Sequence, residues 1–166
     1  MGRFEDGDED MVDLLREVTA EYFPEFRNVR VKCLFDMKKR MSGGKVVLGR
    51  IQKCNDLLKH LTAEEAQTEE GFDCILYVDN KAWTNIGRED RIRILRHELR
   101  HLDFNAKGDL VVVPHDLEDF VEEVALNQDD VAWSRRVATL TSDIYEQEKE
   151  QAEGRTTQRR GGRRGR

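Results

Sequence analysis

The sequence predicts an α+β domain, and three stretches carry that prediction. Residues 8–22 set Met11, Leu14, Leu15, Val18 and Tyr22 at helical spacing. NVRVKCLFD, starting at Asn28, alternates Val29, Val31, Cys33 and Phe35 with Arg30, Lys32 and Leu34, as a half-buried strand does. FDCILYVD, residues 72–79, is the most apolar run in the chain, and helical patterns follow it.

Taken in order, the first helix should stop at Pro24, which has no amide to continue the ladder. After the first strand, Ser42-Gly43-Gly44 is a turn signal, and KVVLGRIQK behind it reads as the hairpin partner of that strand. A short helix is expected near Leu61–Gln67. FDCILYVD should then be a central or substrate-side strand. From Gly87 to Phe104 the pattern is helical again, with Ile92, Leu95, Leu99 and Leu102 on one face. Gly108 ends that section and DLVVVP is a short extended piece. A further helix should open at Asp116 as N-cap, with Glu118 and Asp119 in its first turn, where they suit the macrodipole. A last helix, about 129–149, should bury Trp133, Val137, Leu140 and Ile144. The expected architecture is a small mixed sheet packed on a central helix, with flanking N- and C-terminal helices. The expected boundaries are an acidic flexible lead over 1–8, one domain over 9–150, and an Arg/Gly-rich disordered tail over 151–166.

Composition narrows the function classes. The chain has 166 residues, 38% hydrophobic and 37% charged, enough for one domain with a real core. No run approaches the roughly 18 apolar residues of a membrane span, and MGRFEDGDED lacks the apolar core of a secretory signal. A cytoplasmic location is expected. Cys33, Cys54 and Cys74 are odd in number, widely spaced and without a CxxC, so they read as small buried hydrophobes. The net charge of −6 conceals an asymmetry. Without the six arginines of the tail from Gly154 onward, 22 basic residues face 34 acidic ones, a body charge of −12. Such a cationic arm, Arg155–Arg166, can meet phosphate backbones without sequence preference.

His97-Glu98-Leu99-Arg100-His101 carries the chemistry. On a helix, positions i and i+4 share a face, so two imidazoles can reach one metal ion. The residue after the first histidine is turned by about 100° and approaches from the side. A catalytic zinc takes three protein ligands and keeps one position for water, whose proton Glu98 would accept. For the third ligand, His115 follows Pro114 and opens a helix, which presents its ring rigidly; Glu122, on the helix beyond, is the rival. Asp116 and Asp119 are candidates to hold the second nitrogen of a ligating imidazole. His60 reads as a surface residue.

The run FDCILYVDNKAWTNIGREDRIRILRHELRHLDF, followed by HDLEDF, resembles the phage metallopeptidase family, over about Val29–Phe120. More distantly the chain is similar to SprT-like proteases, which often carry a cysteine zinc ribbon that is missing here. The resemblance to the phage family implies a zincin-like metalloprotease fold, one Zn2+ per chain and peptide-bond hydrolysis. It implies His97, His101 and His115 as ligands and Glu98 as base. The expected function is thus a zinc-dependent metallopeptidase acting on a protein or peptide that adds as a strand beside FDCILYVD. The alternative is a nucleic-acid-associated factor that uses the arginine tail and keeps a structural or vestigial metal site.

Overall fold

The structure is a computed structural model that describes residues 2–115, 120–132, 136–137, 139–140, 143–147, 149–151 and 153. The chain divides into two compact units, Met1–Pro114 and His115–Arg166.

The first unit is built on a four-stranded mixed sheet of order β1-β2-β6-β5. β1 (Phe4–Asp6) pairs antiparallel with β2 (Val31–Asp36), β2 runs parallel to β6 (Cys74–Asp79), and β5 (Gly49–Lys53) closes the sheet antiparallel to β6. The short hairpin β3 (Met41–Ser42) and β4 (Lys45–Val46) precedes β5. Two expectations are corrected. The lead is not free: Phe4–Asp6 is a strand, held by Arg3, which donates from Nε and Nη2 to the buried carboxylate of Asp36 at 3.1 and 3.0 Å. Residues 45–53 are not the hairpin partner of β2 either. The Gly43-Gly44 turn, with φ of +54° and +77°, closes only β3 on β4, and β5 then crosses to β6.

The helices follow the patterns more closely. α1 (Glu9–Tyr22) starts at Asp8, whose Oδ1 accepts from the Met11 amide at 2.8 Å, and it turns Met11, Leu14, Leu15 and Val18 inward. Pro24 stops it and begins a 3₁₀ turn, Pro24–Phe26. α2 (Asp56–Ala66) is longer than the short helix expected there, and α3 (Asn80–Asn85) carries the buried Trp83. α4 (Arg88–Leu99) packs on α1 and buries Leu95 and Leu99. Across the sheet, Cys33, Leu76 and Ile51 stand in register, as do Phe35 and Val78, and all join the α1 and α4 side chains in one core cluster. Complete burial of Leu76 alone stabilises the unit by roughly 1.5–3 kcal/mol.

The expected helix to Phe104 ends five residues early. α4 gives way after Leu99, and Leu102–Phe104 form β7, paired antiparallel with β8 (Leu110–Val112) through a turn with Gly108 at φ +83°. Leu102 is still buried, from a strand.

In the second unit, α5 (Val121–Leu126) is followed by helical residues at 136–137, 139–140, 143–147, 149–151 and 153. Three of the four residues expected to be buried there are exposed, Val137 at 42%, Leu140 at 57% and Ile144 at 47%, a correction of that expectation. Trp133, the N-cap expectation at Asp116 with Glu118 and Asp119, and the tail from Gly154 lie outside the described residues. No helix among the described residues is long and apolar enough to cross a membrane.

Candidate metal centre

His97 lies in the last turn of α4 and His101 two residues past its end. The Arg100 amide still makes an α-helical bond to the Arg96 carbonyl at 3.2 Å, and the backbone then tightens, with the His101 amide bonded to the Glu98 carbonyl at 3.1 Å. The i and i+4 relation survives the tightening: the two imidazole centroids are 5.2 Å apart, at 78°. The C-terminal end of a helix carries a partial negative charge, which favours a cation at this position.

The arginines flanking the histidines are laid on aromatic rings. Arg96 lies over the Tyr22 ring at 5.1 Å and Arg100 over the Phe23 ring at 5.4 Å, on the side of α4 that meets the end of α1.

His101 is oriented by the backbone. Its Nδ1 is 2.7 Å from the Val113 carbonyl oxygen, while the Val113 amide donates to the His101 carbonyl at 2.7 Å. A carbonyl only accepts, so Nδ1 carries the proton and Nε2 is the electron-pair donor, a tautomer that suits a metal ligand. Asp116 and Asp119, expected in this orienting role, lie outside the described residues. The Val113 carbonyl was missed because a backbone oxygen has no signature in sequence.

His115 comes two residues after Val113. One ring nitrogen each from His97, His101 and His115 lies within 4.8 Å of the others, a group that could hold a metal ion. His97 and His115 are exposed and His101 half-buried. Glu122, the rival third ligand, is exposed on α5 and is not part of the group. His60 is exposed on α2, as expected. The three cysteines are free and buried; burial pushes the thiol of Cys33 up to about 11 and that of Cys74 up to about 12, so neither offers a thiolate at neutral pH.

Glu98 is buried, unlike the two histidines that flank it in the motif. Its Oε2 accepts from the Ile51 amide of β5 at 3.0 Å. A methyl group at Gly49 would stand 3.1 Å from Oε1 and 3.2 Å from Cγ of Glu98, so the missing side chain makes room for the carboxylate. A lone glycine inside an apolar strand pattern was the available signal for this close approach.

The first unit is therefore an α+β body that brings an H-E-x-x-H helix end against the outer strand of a mixed sheet. A family model described as "Putative phage metallopeptidase" matches residues 4–145, and the chain belongs to that family. The match extends the likeness seen in the sequence at both ends, taking in β1 and residues well past α5. Neither a curated protein nor a solved structure matches the chain.

Proposed function

We propose that the chain is a zinc-dependent metallopeptidase, with His97, His101 and His115 as ligands and Glu98 as general base. The observation that carries this is the three-histidine group with the Glu98 carboxylate fixed one residue from His97. The donor set fits zinc: three imidazoles are a standard catalytic set, and a closed structural site would need a fourth protein ligand. Among the described residues the group contains neither Glu122 nor a cysteine. When bound, zinc supplies Lewis acidity toward the scissile carbonyl and toward water. Glu98 accepts the proton of the attacking water at a carboxylate oxygen and returns it to the departing amine. The Ile51 amide holds Oε2 of that carboxylate in place.

The substrate strand belongs beside β5 rather than β6. β6 has a hydrogen-bonded neighbour on each side, so the earlier expectation for FDCILYVD is withdrawn. β5 has β6 on one side and, among the described residues, no hydrogen-bonded strand on the other. The Cys54 amide bonds to Asp73 and the Leu48 carbonyl to the Asp79 amide, which assigns the even-numbered positions to the β6 ladder. The odd-numbered main-chain groups of β5 then face outward; the Ile51 amide is taken by Glu98, so main-chain pairing with a peptide would use those of Gly49 and Lys53.

Elemental analysis of the purified chain tests the site. One zinc per chain is expected, kept in Glu98→Gln and lost or weakened in His101→Ala and His115→Ala. Stoichiometric zinc in His101→Ala, or none in the wild type after zinc loading, overturns the ligand assignment. Deleting residues after Gly154 tests the alternative role, since nucleic-acid binding that vanishes with the tail, beside a metal without effect on any reaction, would favour it.

A further inference from the structure

Residues 37–53 contain Lys38, Lys39, Arg40, Lys45, Arg50 and Lys53 and no acidic residue, in a chain whose net charge is −6. Elsewhere in the first unit cations are commonly committed to carboxylates. Arg3, Arg16, Arg30, Lys32, Lys59, Arg88 and Arg93 all have an acidic partner. In this segment, among the described residues, only Arg40 does, pairing with Asp36 at 3.3 Å and lying over Tyr77 at 5.0 Å. Lys38, Lys39, Lys45, Arg50 and Lys53 are exposed and make no ion pair among the described residues. Met41, Val46 and Leu48, between them in sequence, are exposed as well, at 50%, 42% and 48%. The segment runs through the β3–β4 hairpin into β5, the strand whose Ile51 amide holds Glu98.

We infer that residues 38–53 form the recognition edge for an acidic peptide that carries aliphatic side chains. The inference rests on the metallopeptidase reading for what happens to the peptide, and on charge for which peptide is chosen. A strand added beside β5 sets a side chain about 4.5–5.5 Å from that of Arg50, where a carboxylate is favoured and a cation disfavoured. Lys45 and Lys39 extend the same preference along the hairpin, while Met41, Val46 and Leu48 offer aliphatic contact. An isolated cationic segment on an otherwise acidic body also steers acidic partners to this edge and away from the remaining surface. Nucleic acid is the weaker occupant. Residues 37–53 contain no Phe, Tyr or Trp on which bases stack, and their exposed aliphatic groups have no counterpart on a phosphate backbone.

The test uses the full-length, zinc-loaded Glu98→Gln chain, with and without the reversals Lys39→Glu, Lys45→Glu and Arg50→Glu. Its probes are three labelled peptides of equal length and identical aliphatic residues, one with glutamates, one with glutamines and one with lysines, and a single-stranded DNA oligonucleotide. Fluorescence anisotropy should give an acidic peptide bound about tenfold more tightly than the neutral one, with added salt weakening it. The triple reversal should erase that preference or transfer it to the basic peptide, with the circular dichroism and Tm unchanged. Equal binding of acidic and neutral peptides, or a preference that survives the reversal, overturns the inference. So does tighter binding of the oligonucleotide that the reversal abolishes. The wild-type chain, given the same peptides and followed by mass spectrometry, separates the two readings. Cleavage without acidic preference removes the recognition edge alone. Acid-selective binding with no cleavage leaves the edge standing and counts against peptidase activity.

Discussion

β5 and β6 lie side by side in one sheet, yet they have divided the work of the unit between them. β6 has a strand on each side, and Cys74, Leu76 and Val78 are fully buried. Among the described residues β5 has one strand beside it; it exposes Arg50 and Lys53 and gives an outward amide to Glu98. A residue changed on β6 should cost the fold, and one changed on β5 should cost the chemistry. The candidate metal centre draws on both, since α4 packs through Leu95 and Leu99 into the core while Glu98 reaches the edge.

Four experiments would break or sharpen that division. The largest effect is expected for Glu98→Gln, which should lower kcat on any cleaved peptide by roughly 10²–10⁴-fold with zinc and Tm retained. Full activity in this variant would remove Glu98 as base. Leu76→Ala should cost about 2–5 kcal/mol in denaturant unfolding while activity per folded molecule holds. A stable variant that loses activity would blur the contrast between the strands. Gly49→Ala, which pushes a methyl against the Glu98 carboxylate, should cut kcat by about tenfold or more and leave KM, zinc content and Tm close to wild type. A fall in Tm instead of kcat would make Gly49 a packing residue only.

The smallest effect concerns pH and the β1 edge. Burial pushes the Asp36 carboxyl up, but hydrogen bonds from Arg3, the Lys38 amide and Arg40 outweigh it and hold the group below its ordinary value. A pKa depressed in the folded state stabilises above the unfolded value, near 3.9, and that stabilisation is lost as pH falls through the folded one. Tm should therefore drop in acid below about pH 4, and Asp36→Asn should flatten that dependence. An unaltered acid profile in the variant would show that Asp36 does not anchor β1 through its charge.

Much of this was legible in the sequence wherever one local rule decided the outcome. Asp8 caps α1, Pro24 ends it, and the spacing of His97 and His101 requires two imidazoles on one face. Legibility failed where distant parts of the chain compete. Leu99 and Leu102 satisfy a helical period, yet Leu102 meets the core from a strand because β8 offers it a partner. A glycine turn before residues 45–53 invites a hairpin with β2, but pairing with β6 buries Ile51 against Leu76. The spacing of Val137, Leu140 and Ile144 matches that of the α1 stripe, and only packing distinguishes their fates. At the candidate site, the histidines that come together and Glu98 were readable, whereas the Val113 carbonyl and the Ile51 amide that hold His101 and Glu98 were not.

The order of strands in the sheet also governs how the unit can be made. β6 is the last of its four strands to be synthesised and is the one that fits between β2 and β5. A nascent chain that has reached only α2 can hold β1 on β2, but both β2 and β5 still lack the neighbour they share. Residues 74–79 are thus a closing wedge: assembly waits for them, and α4, with His97 and Glu98, follows after α3 and emerges onto a sheet that has just become complete.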